Sequence, residues 1–263
     1  MNVETGAPLV LHEMDEGVLT LTMNRPKQLN ALSRPLMAEM LSALNEAHET
    51  AAVKVIVIAG AGNGFCPGHD LKEIRGTPKH EFYQVLLADC AQLMLRIHSA
   101  RQPVIARVHG IATAAGAQMV ATCDLAVAAP EAKFSTPGVN IGLFCNTPMV
   151  GLSRAVARKQ MMRMLLTGDM IDAEKALSIG LVSDVAKPGR LDEMVYGQAH
   201  QIASKSSRTL AIGKEAFYKQ VEMPIEEAYK YASDVMAMNM GINDAAEGID
   251  AFIEKRDPTW SDS

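Results

Sequence analysis

Three short runs of apolar residues, the first of them rich in β-branched side chains, dominate the first half of the chain, and helix-length segments separate them. They read VKVIVIAG (53–60), PVIARV (103–108) and CDLAVAA (123–129). A strand that is apolar at nearly every position is buried on both faces, which is typical of parallel sheets covered by helices. The pattern therefore predicts an α/β fold in which helices connect parallel strands. A fourth strand, VLTLTM (18–23), alternates apolar residues with Thr and is predicted to be half-buried.

Helix signals lie between the strands. Ser33 is a predicted N-cap, since its hydroxyl can accept a hydrogen bond from the first turn of the periodic segment that follows. A second long helix is predicted from six apolar positions at helical spacing: Phe82, Val85, Leu86, Cys90, Leu93 and Ile97. Further along, Asp172 is a predicted N-cap and Gly180 the residue after that helix ends.

The chain becomes helical in pattern after Leu191. Pro224 is predicted to start one of these helices, because proline is tolerated in a first turn. We therefore predict an α/β core at residues 1–190 and a helical C-terminal region at residues 191–263. A helical region of this size is often an assembly element. The alternative is that it simply covers the core.

Charge and cysteine content exclude several classes of protein. The net charge of −5 is opposite in sign to a nucleic-acid-binding surface. The four cysteines form no C-x-x-C pair, and none lies at zinc-ligand spacing, so no metal site is predicted. The chain has no run of about 18 apolar residues and no signal-type N-terminus, so we expect no membrane span and a cytoplasmic protein.

Two loops could carry chemistry. The first, GAGNGFCPGHDLKE (60–73), follows a buried strand and contains four glycines, which permit close approach of the backbone to a ligand. Exposed amide N–H groups at such a turn can bind an anion or a developing oxyanion. The loop is neither a P-loop nor a dinucleotide-binding fingerprint. On composition alone, a flexible connection is an equally good interpretation.

The second loop contains TAAGAQ (113–118). A helix is predicted to start with Gly110 and this stretch, directly after the strand at 103–108. The first N–H groups of a helix have no internal partner, and the small side chains leave space for a ligand carbonyl. Tight packing of the helix on the sheet would require the same small residues.

Together the loops resemble the enoyl-CoA hydratase/isomerase (crotonase) superfamily. The resemblance covers nearly the whole chain and rests on these stretches: NRPKQLNALS, FCPGHDLKE, PVIARVHGIATAAGAQMVATCDLAVAA, FSTPGVNIGL, LLTGDMIDAEKALSIGLVSDV and GIDAFIEKRDPTW. It implies a ClpP-like spiral of repeated β-β-α turns with a C-terminal helical trimerisation region. It also implies a homotrimer, often paired into a hexamer, and an acyl-CoA thioester as the ligand. CoA enters as part of the substrate, and no other cofactor is implied.

The resemblance implies an oxyanion hole made by the backbone N–H groups of His69 and Ala115. A hydratase of this family uses two glutamates, one at the position of Gln118 and one at that of Gly138. Hydration requires a base that activates water and an acid that protonates Cα. Because Gln118 is a poor proton acceptor and Gly138 has no side chain, the usual acid pair is absent.

Other side chains could replace the glutamates. Cys145 is a possible nucleophile or acid, although a cysteine in an apolar run more often packs in the core. The imidazole of His69 could titrate beside the thioester, or be an ordinary loop histidine. For Asp70 and Glu73, the alternative to a role in chemistry is a structural one, in which they fix the loop and the following helix start.

The resemblance also implies residues that contact CoA. They are Lys27, Leu29, Ala31, His69, Asp70, Leu71, Lys72 and Ala115, with Phe252 and Lys255 supplied by a neighbouring subunit. For the lysines, a solvated surface charge is the alternative. Three functions stay open: an acyl-CoA enzyme using the oxyanion hole for a step other than hydration, a hydratase in which Gln118 holds the water, and a non-catalytic acyl-CoA-binding oligomer.

Overall fold

The computed structural model describes residues 7–262 of the chain. Its nine strands within that range are β1 Val10–Asp15, β2 Val18–Met23, β3 Val55–Gly60, β4 Val104–Val108, β5 Ile111–Thr113, β6 Leu125–Ala128, β7 Lys133–Ser135, β8 Ile171–Asp172 and β9 Asp184–Val185. Six form one sheet in the order β1-β2-β3-β4-β6-β9, parallel except at the β1–β2 hairpin. The other three form a smaller sheet in the order β5-β7-β8.

Eleven helices are found in the same range: α1 Arg34–Glu49, α2 Leu71–Gly76, α3 His80–Ser99, α4 Ala115–Thr122, α5 Pro148–Ala155, α6 Arg158–Thr167, α7 Ala173–Ser178, α8 Leu191–Ala203, α9 Ser207–Gln220, α10 Ile225–Met240 and α11 Asn243–Glu254. The chain passes from a large-sheet strand to a small-sheet strand and then to a helix, as in β4-β5-α4 and β6-β7-α5. The fold is therefore the predicted α/β spiral of β-β-α turns.

The central strands β3, β4 and β6 of the large sheet are buried on both faces, as the apolar runs predict, whereas the edge strand β1 is exposed at five of its six positions. The prediction that β2 is half-buried is wrong, since five of its six residues are buried between β1 and β3. Ile56 and Ile58 of β3 pack with α1, α3 and α4 in one cluster. Val55 and Val57 point to the opposite face and pack with α8 in a second cluster. Each fully buried side chain of this size contributes about 1.5–3 kcal/mol of hydrophobic stabilisation.

The predicted helix boundaries mostly hold. Ser33 caps α1 by accepting a hydrogen bond from the Leu36 amide, and Asp172 caps α7 through the Lys175 amide. Gly180 follows α7 with φ +80°. Pro224 is the N-cap of α10, one residue before the helix begins.

Helix α4 begins later than the sequence predicts. The helix was expected directly after the strand at 103–108, beginning at Gly110, but strand β5 intervenes and α4 begins at Ala115. A three-residue strand is too short to show a period in the sequence, and its pairing with β7 is what defines it.

The C-terminal helices differ in their packing. Helix α8 covers the second face of the large sheet, so by packing it lies with the core. Helices α9, α10 and α11 expose many large apolar side chains: Phe217, Val221, Ile225, Tyr229, Met236, Met238, Met240, Ile249, Phe252 and Ile253. The division at residues 190/191 and the assembly role of residues 191–263 stay predictions, and residues 1–6 and 263 lie outside the described range.

Candidate functional site at the junction of two loops

The two predicted loops are joined by backbone hydrogen bonds. The Cys66 amide donates to the Ile111 carbonyl at 2.9 Å, and the Thr113 amide donates to the Cys66 carbonyl at 3.0 Å. The Thr113 hydroxyl also donates to the Pro67 carbonyl at 2.9 Å. The loop after β3 therefore runs alongside β5 and delivers residues 67–70 to the start of α4.

Two glycines permit this close approach. Gly68 has φ +105°, and a Cβ there would lie 3.4 Å from the Ala115 amide nitrogen. A Cβ at Gly116 would lie 2.0 Å from the Cys66 carbonyl oxygen, which no side chain could tolerate. The small residues of TAAGAQ therefore serve backbone packing as well as any ligand.

Five backbone amides at this junction have no acceptor among the described residues, and those of His69 and Ala115 are two of them; the others are those of Gly68, Gly116 and Ala117. Leu32 donates its amide to the Gly68 carbonyl at 2.8 Å and accepts from the Asp70 amide at 2.9 Å. This bridge directs the His69 N–H away from Leu32. Ala115 is the first residue of α4, where helix amides lack internal partners.

Ala114 turns the chain into α4 in a strained conformation. Its φ of 48° and ψ of −118° lie in a region that favours glycine, at a cost of about 1–3 kcal/mol. Its amide donates to the Ser135 carbonyl at 3.0 Å, and its carbonyl accepts from the Gln118 amide at 3.0 Å. These two hydrogen bonds hold the turn. The turn fixes the direction of the Ala115 N–H.

Gln118 lies on the face of α4 that also carries Ala115, one turn further along. The residue is buried, and its Oε1 has no hydrogen-bond partner in the described part of the chain. Its Cγ lies 3.6 Å from where a Cβ at Gly151 of α5 would be. It also borders a cavity of about 1030 Å³ between α3, α4, α5 and α9.

That cavity does not reach the backbone amides of His69 and Ala115. Its lining contains Gln118 but none of His69, Ala115, Gly138 or Cys145. Its walls come from α3, α4, α5 and α9 and from residues 123–126 and 180–183, and they mix apolar side chains with polar ones such as Asp124 and Arg154. The cavity therefore meets the junction only at Gln118.

Gly138 and Cys145 are in contact. Gly138 is buried in a 3-10 turn, Pro137–Ile141, and a Cβ there would lie 3.0 Å from the Cys145 Sγ and 2.9 Å from the Leu143 carbonyl oxygen. Burial raises the pKa of the Cys145 thiol, although the nearby Gly138 backbone opposes the shift. The thiol is therefore neutral near pH 7, which disfavours a nucleophilic thiolate.

Polar side chains without partners collect near the Ala114 turn. Both ring nitrogens of His69 and the hydroxyls of Ser135 and Thr136 are buried and make no hydrogen bond to any described residue. Burial lowers the pKa of the His69 imidazole, and the nearby Leu32 backbone offsets this only in part. Orphaned buried groups are rare in native proteins and point to a ligand or ordered water.

The predicted CoA contacts divide into two sets. Lys27, Leu29 and Ala31 lie in a segment beside the first loop, and Leu71 and Lys72 form the first turn of α2. Phe252 of α11 is 85% exposed, and Lys255 just after it is also exposed. Helix α11 packs against α9 and α10, so the described contacts do not bring Phe252 or Lys255 to the junction.

Sequence reasoning missed the residues that hold the loops together. Arg25 forms an ion pair with Asp70 at 2.8 Å, and Asn30 donates to the carbonyls of Ala61 and Gly64. The only signal was their place within NRPKQLNALS. The interpretation of Asp70 and Glu73 as structural is confirmed in part, since Asp70 caps α2 and Glu73 accepts from the Arg34 amide.

The sequence profile of the enoyl-CoA hydratase/isomerase family matches residues 13–263. The chain belongs to the enoyl-CoA hydratase/isomerase family. It is 41% identical over 258 residues to the mitochondrial enoyl-CoA hydratase domain-containing protein 3 of Rattus norvegicus, covering 98% of this chain and 86% of that protein.

Solved structures of this family superpose closely. An enoyl-CoA hydratase of Mycobacterium smegmatis matches with a TM-score of 0.94 and 48% identity, covering 97% of this chain and 99% of that one. Human enoyl-CoA hydratase domain-containing protein 3 matches with a TM-score of 0.94 and 40% identity, covering 96% and 100%. The crotonase fold is thus shown for this chain.

Proposed function

We propose that this protein binds an acyl-CoA thioester and stabilises the oxyanion or enolate of its carbonyl with the N–H groups of His69 and Ala115. The observation that carries the proposal is that His69 and Ala115, whose amides have no acceptor among the described residues, belong to two loops that meet where a Cβ at Gly68 would lie 3.4 Å from the Ala115 nitrogen. Each oxyanion donor contributes about 2.7–4 kcal/mol of transition-state stabilisation in comparable sites. Membership of the enoyl-CoA hydratase/isomerase family supports it.

The reaction we propose is one that needs an enolate or oxyanion but not two glutamates. Isomerisation, thioester hydrolysis and decarboxylation all pass through such a species. Gln118 and Gly138 stand at the two glutamate positions, and the space beside Gly138 holds the neutral thiol of Cys145. Turnover of at least one member of an acyl-CoA panel is the expected result, and no turnover of any member would count heavily against catalysis.

A hydratase with unusual water activation is the second candidate. The buried, unpartnered Oε1 of Gln118 favours it, because that atom could accept a hydrogen bond from a water. The test is loss of the conjugated-thioester absorbance of crotonyl-CoA. A rate equal to the background rate would remove this candidate.

The non-catalytic candidate predicts tight thioester binding without chemistry. A variant carrying Gln118→Glu, Gly138→Glu and Cys145→Ala distinguishes a pocket that binds the thioester but lacks the acids from a pocket that binds no thioester. Gain of hydration by that variant would show that only the acids are missing. Failure of every acyl-CoA to raise the melting temperature would count against all three candidates, since a ligand that binds only the folded state stabilises it.

We propose that Lys27, Leu29, Ala31, Asp70, Leu71 and Lys72 contact CoA together with the two amides, and that Phe252 and Lys255 reach it from a neighbouring subunit. The exposure of Phe252 and the apolar faces of α9–α11 support a homotrimer or hexamer. Light scattering after gel filtration should give a multiple of three chains. A monomer at micromolar concentration would contradict the assembly.

Cofactor and location stay predictions. We expect no cofactor, with CoA entering only as part of the substrate; the absorbance spectrum of the purified protein checks for a bound organic group, and assays with and without a chelator check for a metal. No group of metal-ligating side chains occurs within residues 7–262, and no helix there is long and apolar enough to cross a membrane. The cytoplasmic prediction is tested by fractionation. The Rattus norvegicus relative carries the word mitochondrial in its name.

A further inference from the structure

Arg25 links the predicted CoA-contact segment to the oxyanion loop. Its guanidinium donates to the Ala31 carbonyl at 2.5 Å and to Asp70 Oδ2 at 2.8 Å. The side chains of Arg25 and Asp70 are only 17% and 14% exposed. A planar guanidinium that bonds two acceptors at once fixes their relative position, which a mobile surface ion pair does not.

Asp70 uses both carboxylate oxygens. Oδ2 accepts from Arg25, whereas Oδ1 accepts from the amides of Lys72 at 3.0 Å and Glu73 at 3.4 Å and so caps α2. The peptide of His69 lies directly before this anchored residue and directly after Gly68, which contacts the start of α4. The direction of the His69 N–H therefore depends on where Asp70 is held.

Asn30 secures the other end of the segment. Its Oδ1 accepts from the Arg25 amide at 2.9 Å, and its Nδ2 donates to the carbonyls of Ala61 at 2.9 Å and Gly64 at 2.8 Å. The segment 25–32 is thus attached to the loop 60–70 at both ends. Arg25 is the side chain that connects the segment to the oxyanion end of that loop.

We propose that Arg25 is a positioning residue for the oxyanion hole: through Asp70 and Ala31 it holds the His69 N–H in the direction that polarises the thioester carbonyl. It touches no reacting atom. Because Ala31 belongs to the predicted CoA-contact set, the same guanidinium joins CoA binding to carbonyl polarisation. The inference rests on the proposed oxyanion hole.

The test uses the full-length protein and a conjugated dienoyl-CoA, whose absorbance moves to longer wavelength when its carbonyl is polarised. The parent should bind it with a red shift. Arg25→Met should retain binding by calorimetry but lose at least half of the shift. Where a turnover substrate is known, kcat should fall by about 100-fold, as expected for a misplaced reacting group, with a much smaller change in KM.

Arg34→Met is the matched control. Arg34 also pairs with an aspartate, Asp89, at 2.6 Å, but both side chains are more than a third exposed, and the pair involves neither Asp70 nor Ala31. This variant should keep the full shift. Asp70→Asn, which can still cap α2, should reduce the shift, and the double variant with Arg25→Met should be no worse than the worse single variant.

The outcomes separate the two claims. A parent protein that binds the dienoyl-CoA without any red shift would overturn the oxyanion hole and the positioning role together. A red shift that survives in both Arg25→Met and Asp70→Asn would overturn the role of Arg25 and leave the oxyanion hole standing. If Arg25→Met unfolds, Asp70→Asn and Arg25→Lys decide the matter, and a full shift in both would refute the proposal.

Discussion

The sulfur of Cys145 lies 3.0 Å from the point where a side chain at Gly138 would begin. The Leu143 carbonyl oxygen is 2.9 Å from the same point. The space that a glutamate at residue 138 would need is therefore already filled by atoms of Leu143 and Cys145. Because the glycine and the thiol pack against each other, introducing an acid at residue 138 requires a change at both positions.

Gly138→Glu should lower the free energy of unfolding by about 1–3 kcal/mol, the usual cost of overpacking. Adding Cys145→Ala should recover part of that loss but not all, because the Leu143 carbonyl remains. Urea denaturation of the parent, both single variants and the double variant measures the coupling. Strictly additive effects would contradict the steric explanation.

Gly116→Ala should be much more harmful than its small size suggests. The added Cβ would meet the Cys66 carbonyl at 2.0 Å, so the two loops must separate. We expect a loss of about 3 kcal/mol or more, or no soluble protein, and loss of acyl-CoA binding. Gly197→Ala in α8 is the control: it meets no atom within 4 Å and should stabilise by about 0.5–1 kcal/mol. Equal melting temperatures for the Gly116→Ala and Gly197→Ala variants would contradict this prediction.

Lys214→Met tests a buried ion pair outside the site. Lys214 Nζ donates to Asp124 Oδ2 at 2.6 Å and its side chain is 9% exposed. Removing it leaves Asp124 with only the Tyr218 hydroxyl and the Val104 amide, so the cost should be near the lower end of about 3–5 kcal/mol. Lys219→Met breaks an exposed pair with Glu215 and should cost less than about 1 kcal/mol. Chemical denaturation compares them, and a similar loss in both would show that burial is irrelevant here.

His69 should make the protein less stable in acid. Burial lowers the pKa of its imidazole, so the folded state disfavours a proton that the unfolded chain accepts below about pH 6.5. The unfolded state then binds more protons, and the free energy of unfolding falls as the pH drops through that range. His69→Gln should reduce the stability lost between about pH 7.5 and about pH 5.5. His80→Gln, at an exposed position, is the matched control. An unchanged pH dependence in His69→Gln would be inconsistent with a buried neutral imidazole.

Much of the architecture could be predicted because its signals are local. The β-branched run at 55–60 requires burial on both faces, and Ser33 and Asp172 cap helices through bonds within three residues. Strand β5 could not be predicted, since its three residues have no period and its pairing partner lies 22 residues away at β7. For α8 the sequence left two alternatives open, assembly or covering the core, because an apolar helix face does not specify the surface it packs against. The structure shows that α8 covers the large sheet.

The sequence by itself determined the family, because the motifs that carry the resemblance need no coordinates. Through that resemblance it predicted His69 and Ala115 as backbone donors and Gln118 and Gly138 at the positions of the two glutamates. Only the tertiary structure decided how those groups are held. The bridge of His69 with Leu32, the contact of Gly116 with Cys66 and the Arg25–Asp70 pair join positions far apart in the chain. Such contacts arise from packing and long-range hydrogen bonds, which no single stretch of sequence specifies.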